Sequence, residues 1–181
     1  MNKSFVFFIL TGLCITLAVA PVDAQIAEKQ ETKKVSAPAY LLAYPGILSD
    51  SPLYKFKLLR DKIWFSLTQD PSKKAKLYLL FADKKIAMAK TLAQKNEFAL
   101  ARDSALKGEN EMTELTFFYK NNNLIPEPAF FNTLILASQK HREVLEEISS
   151  LVPQEEKAIY ATIEGFSKRN EEEFGLIEQQ E

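Results

Sequence analysis

Histidine is the scarcest chemical group in this chain: His141 is the only one in 181 residues. A His-rich zinc site, a facial triad of two histidines and a carboxylate, and a Ser–His–Asp triad are all short of parts. A di-iron bundle uses Glu-x-x-His twice, and position 138, three before His141, is Ser. Cysteine is as rare. Cys14 stands alone within an apolar run, so the chain beyond it carries no thiol and no disulfide. A lipid-anchored cysteine would need a small residue directly before it, and Leu13 is there instead. Only 5 glycines against 13 Phe, with abundant Ala, Leu, Lys and Glu, favour helices over a sandwich or barrel. There is no Gly-rich phosphate loop and no Gly-x-Ser-x-Gly. Neither sign of charge dominates: the formal net charge of −1 gives no global pull toward nucleic acid or an acidic membrane surface.

What is present begins with an address. Lys3 forms a short basic start, Phe5–Ala20 is apolar apart from Thr11, Gly12 and Thr16, and Val22-Asp23-Ala24 offers small residues for cleavage before Gln25. The run is a little short for a membrane span of ~20 residues. Residues 1–24 are therefore predicted to be a cleaved signal peptide, which implies export to the periplasm, cell surface or exterior. Residues 25–42 are charged, lack an apolar period and read as a flexible tether.

Residues 43–181 read as one helical domain. Tyr44-Pro45-Gly46 predicts a tight turn, and Asp50-Ser51-Pro52 a helix start with a side-chain cap and proline in the first turn. Leu53, Phe56, Leu59, Ile63 and Leu67 then recur at three- and four-residue steps. Trp64 and Phe65 widen that stripe, which predicts a helix buried on more than one side. Asp70-Pro71 starts a second helix, to about Lys95, whose inward face holds Ala75, Leu79, Ala82, Ile86, Ala89 and Ala93. Asn96 is placed as the cap of a third helix, with Phe98, Ala101, Ala105, Met112, Leu115 and Tyr119 inward. Gly108 within it marks a close crossing or a weak point. Asn121-Asn122-Asn123, Pro126 and Pro128 break the chain before a fourth helix, about 129–151, with Phe131, Leu134, Ser138, His141, Leu145, Ile148 and Val152 in phase. A fifth follows Pro153, with Ile159, Ile163, Phe166 and Phe174 inward, and its end from Arg169 is expected to fray. The fold class is all-α: an antiparallel bundle of about five helices.

The stretches YPGILSDSPLYKFKLLRDKI and LTQDPSKKAKLYLLFADKKIAMAKTL resemble a bacterial module known as a domain of unknown function, DUF5667. Pro45, Gly46, Asp50, Ser51, Pro52, Tyr54, Lys57, Leu67, Thr68, Asp70, Pro71, Lys74, Ala75 and Leu77 carry the likeness, while Ser49 stands where proline is usual and Lys84-Lys85 replaces Glu-Arg. The resemblance is clearest over 43–115, with 129–180 as an additional helical hairpin. It implies extracytoplasmic placement and supplies no catalytic residues.

His141 sits at a seam position and is expected to be a partly buried histidine bonded to a neighbour. Glu143, Glu146 and Glu147 lie among Lys140 and Arg142, as on a solvated, ion-paired face. The reading is of a non-enzyme with no catalytic residue, no metal ligand and no cofactor. It is expected to be an exported interaction module of the cell envelope whose partner is an envelope or secreted protein, not nucleic acid. A membrane enters only through the signal segment, if that is retained. Of the aromatics, Phe117 and Phe130 are singled out as partner-binding anchors, provided they are exposed. The alternative is a sensor bundle for a small ligand or metal, which an inward-facing cluster of Asp or Glu around His141 would favour.

Overall fold

A computed structural model describes residues 40–179, so the expected signal peptide and most of the expected tether lie outside the described residues. Five helices make up the rest: α1 (Tyr54–Leu67), α2 (Pro71–Gln94), α3 (Phe98–Asn121), α4 (Pro128–Leu151) and α5 (Gln154–Glu178). No strand occurs among the described residues. Asp70 caps α2 as its sequence predicts, its carboxylate accepting from Lys73 N at 2.7 Å with Pro71 at the first helical position.

The two asparagine signals act at helix ends. Asn96 and Asn123 adopt positive φ, 63° and 49°. After α2, Asn96 N bonds to Ala93 O and Glu97 N to Leu92 O; after α3, Asn123 N bonds to Lys120 O and Leu124 N to Tyr119 O. Both are Schellman closures with asparagine in the left-handed position. Asn96 thus terminates α2 instead of capping α3. Leu124 and Tyr119 supply the apolar contact that accompanies such closures.

Helices α2 to α5 form the bundle. The α2/α3 and α4/α5 hairpins pack side by side, with α2 against α4 and α3 against α5, so that α3 and α4 lie across the diagonal. Two apolar clusters fill its ends. One joins the C-terminal halves of α2 and α4 to the N-terminal halves of α3 and α5, through Ile86, Leu92, Ala105, Leu145, Ile148, Tyr160 and Ile163. The other joins the opposite halves through Leu79, Met112, Leu115, Leu134, Phe174 and Ile177. The end of α5 is therefore held, not frayed: Phe174 and Ile177 are core residues, and the helix continues to Glu178. Its inward register also differs from the sequence expectation, with Tyr160 buried, Ile159 exposed and Phe166 only half-buried.

Gly108 marks the crossing of α2 and α3. A Cβ there would fall 2.8 Å from Ile86 Cδ1 and 3.3 Å from the Ala82 carbonyl oxygen, so the absence of a side chain sets the approach.

The first helix departs from its sequence reading. The turn forms with Gly46 at φ 68°, but α1 begins only at Tyr54, without a side-chain cap. Asp50 instead pairs with Lys95 at 2.5 Å, beyond the end of α2. After the short joint at Thr68–Asp70 the two helices fold back on each other, Phe65 meeting Tyr78 edge-on at 4.8 Å and Trp64 meeting Phe81 at 6.3 Å. The stripe expected to be buried faces outward: Leu53, Phe56, Leu59, Ile63 and Leu67 are all more than half exposed, Phe56 at 70% and Leu67 at 74%. The reason lies on the opposite face. Tyr54, Lys57, Asp61 and Phe65 share it, and Lys57 Nζ donates to the carbonyls of Pro45 and Ile47 at 2.7 and 3.1 Å. This face is bonded into the preceding turn and stacked on α2, which orients the helix.

Candidate functional site

Between the two apolar clusters runs a polar layer. His141, fully buried, places Nδ1 2.9 Å from Glu109 Oε1 and Nε2 3.0 Å from Asp83 Oδ1. Asp83 also accepts from Tyr40 Oη at 2.7 Å, and Glu109 from Asn170 Nδ2 at 3.2 Å. Asn170 in turn accepts from Thr113 Oγ1 and donates to the Glu109 carbonyl. The layer thus draws on each of α2, α3, α4 and α5, and on Tyr40 from the segment before α1.

With a carboxylate at each ring nitrogen, the imidazole donates twice and is a cation. Burial alone would lower its pKa; the hydrogen bonds it donates to Asp83 and Glu109, and their negative charge, overcome this and raise it to about 9. The Tyr40 hydroxyl is pushed far above its usual range, first by burial and then by Asp83. Chemically this is a closed set. Its groups serve one another, and the imidazole separates the carboxylates that a cation would have to draw together.

The expectation for His141, a buried histidine bonded to a neighbour, understated the arrangement. Asp83, Glu109 and Asn170 were missed, and each had a signal. Asp83 follows Ala82 in the Leu79–Ile86 stripe, Glu109 lies between Ala105 and Met112, and Asn170 lies between Ile163 and Phe174. A polar residue in phase with an apolar stripe is one that the core must accommodate.

Outside the bundle, α1 roofs a cleft of about 280 Å³, walled by Phe65, Tyr78, Phe81 and Met88 and edged by Lys57, Lys62, Lys84 and Lys85. Lys85 is paired with Glu111. Fully burying a large apolar side chain is worth about 1.5–3 kcal/mol. The outer face of α1, together with its N-cap Leu53, carries five such side chains in water, so it forgoes most of that gain. Single exposed apolar residues are ordinary, but a continuous stripe on one helix face is not.

The two aromatic anchors are not brought together. Phe117, half exposed on α3, borders a depression with Phe166 and Arg169. Phe130, at the start of α4, packs against the cluster of Leu134 and Phe174 and lines a separate recess with Tyr119 and Leu124. Only Phe117 is openly exposed.

No helix among the described residues is long and apolar enough to cross a membrane. No curated protein and no solved structure matches the chain. A family model does, over residues 46–155, which takes in α1 to α4 and only the first residues of α5. The chain belongs to the family described as Domain of unknown function (DUF5667).

Proposed function

We propose that this protein is a non-enzymatic, exported docking module of the cell envelope: a four-helix scaffold that holds another envelope component through the outer face of α1. The single observation that carries this reading is the outward orientation of Leu53, Phe56, Leu59, Ile63 and Leu67 on a helix whose other face is bonded to the preceding turn and stacked on α2. The closed polar layer supports it as well. Its ionisable groups bond to one another, as suits a group that fixes helix pairing.

A second reading, a bundle that senses a metal or small ligand, draws on the carboxylates that do surround His141. The position of the imidazole between them favours the structural role.

The test is photo-crosslinking in the native envelope, with the reactive residue at Phe56, at Ile63 or, as a control, at exposed Lys168 on α5. Adducts from the first two positions and not the third support docking through α1. Equal labelling from all three, or none, contradicts it. Stoichiometric metal retained through purification and released by a chelator would favour the sensor.

A further inference from the structure

The charge of the chain is divided by position. Residues 40–95 carry eleven Lys and Arg against four Asp and no Glu, net +7; residues 96–181 carry eight against seventeen Asp and Glu, net −9. The near-neutral total hides a strong asymmetry, and α1 lies within the cationic part.

Exposed Lys55 and Lys62 stand on one flank of the outer apolar stripe of α1, and exposed Arg60 stands at its other edge. The one acid of the helix, Asp61, turns inward and is bonded to Arg60. Exposed Lys73 and Lys76 follow at the start of α2. Trp64, the only tryptophan, sits at the edge of the stripe, half exposed. An apolar stripe of Phe, Leu and Ile flanked by Lys and Arg, with Trp at the boundary, has the composition of a helix that lies in a membrane interface.

We infer that the outer face of α1 docks on an anionic lipid surface, its five apolar side chains entering the headgroup boundary and Lys55 and Lys62 meeting phosphate. This rests on the reading of α1 as the docking element. A second copy of the chain fits the face less well. A two-fold pairing of apolar stripes would set the same cations of both copies against each other. A lipid surface satisfies the stripe and its charged flanks together.

Trp64 makes the test direct. The full chain is reconstituted with vesicles of phosphatidylcholine alone or with phosphatidylglycerol added, some carrying brominated acyl chains. Quenching of Trp64 then reports α1 and not the N-terminal run. With phosphatidylglycerol, Trp64 emission is expected to shift to the blue and to be quenched by brominated lipid. The docked-to-undocked ratio should be roughly tenfold to a hundredfold above that on neutral lipid, at about one favourable contact per cation. The double variant Phe56→Ser, Ile63→Ser should lose the quenching with its helical circular dichroism unchanged.

Trp64 that stays in water and unquenched on both lipids overturns the proposal, and equal quenching on both overturns its anionic part. If lipid fails while crosslinks from Phe56 and Ile63 capture a protein or a second copy, docking through α1 stands and the lipid proposal falls. If both fail, both fall.

Discussion

The bundle and α1 invert each other. At the centre of the bundle, where apolar residues are the rule, sit a histidine, two carboxylates and an amide; on the surface of α1, where polar residues are the rule, sits a row of Leu, Phe and Ile. The contrast separates two uses of sequence. The polar layer is costly to bury, yet each of its groups is bonded, so it fixes which helices meet and at what height. The apolar row contributes little to the isolated fold. Disturbing the inside should therefore cost far more than disturbing the outside.

The largest effect belongs to His141. His141→Ala leaves Asp83 and Glu109 buried without their shared cation, and should cost about 3–5 kcal/mol in urea unfolding. Replacing the three together, Asp83→Leu, Glu109→Met and His141→Phe, should recover much of that loss, because the unpaired charge is what costs. Asn170 would still keep Thr113 and the Glu109 carbonyl as partners. A triple variant less stable than His141→Ala would show that the layer contributes net stability.

Next comes pH. The unfolded histidine titrates near 6.5 and the folded one at about 9. Below 6.5 both states hold the proton and the contribution of His141 is whole. Between 6.5 and 9 the unfolded chain releases its proton while the fold keeps it, so stability declines; above 9 the contribution is gone. The decline should be on the order of 3 kcal/mol by linkage and should vanish in His141→Ala, as urea midpoints across that window would show.

Gly108→Ala is expected to be smaller. Alanine gains about 1 kcal/mol in helix propensity. The added methyl must, however, displace buried Ile86 and meets the Ala82 carbonyl, at a cost of about 1–3 kcal/mol. A net loss of roughly 1 kcal/mol is expected from thermal melts; a gain would show that the two helices can part without cost.

The same inversion explains what was legible beforehand. Helix number, the Asp70–Pro71 cap, the breaks at 96 and 121–128, and the inward faces of α2, α3 and α4 follow from apolar period and turn chemistry, which act locally. Residues Asp83, Glu109 and Asn170 stand in phase with those faces, but a polar group within a stripe looks like surface until its partners, 32 to 61 residues away, are known. The orientation of α1 departs from its sequence expectation for the opposite reason. Its apolar stripe is the stronger periodic signal, but the bonds of Lys57 to the Pro45–Ile47 turn and the stacking of Phe65 on Tyr78 decide which face turns inward. Such contacts depend on the shape of the turn and leave no period.

The most direct test of the inversion is therefore the smallest effect. Urea midpoints of Phe56→Ser with Ile63→Ser should be compared with those of the unmodified chain and of His141→Ala in one buffer. The double variant should fall within about 0.5 kcal/mol of the unmodified protein, as for exposed positions, while His141→Ala unfolds at much lower urea. A loss from the α1 variant as large as that from His141→Ala would mean that the stripe is part of the core of the fold, and the account of α1 as a docking face would be wrong.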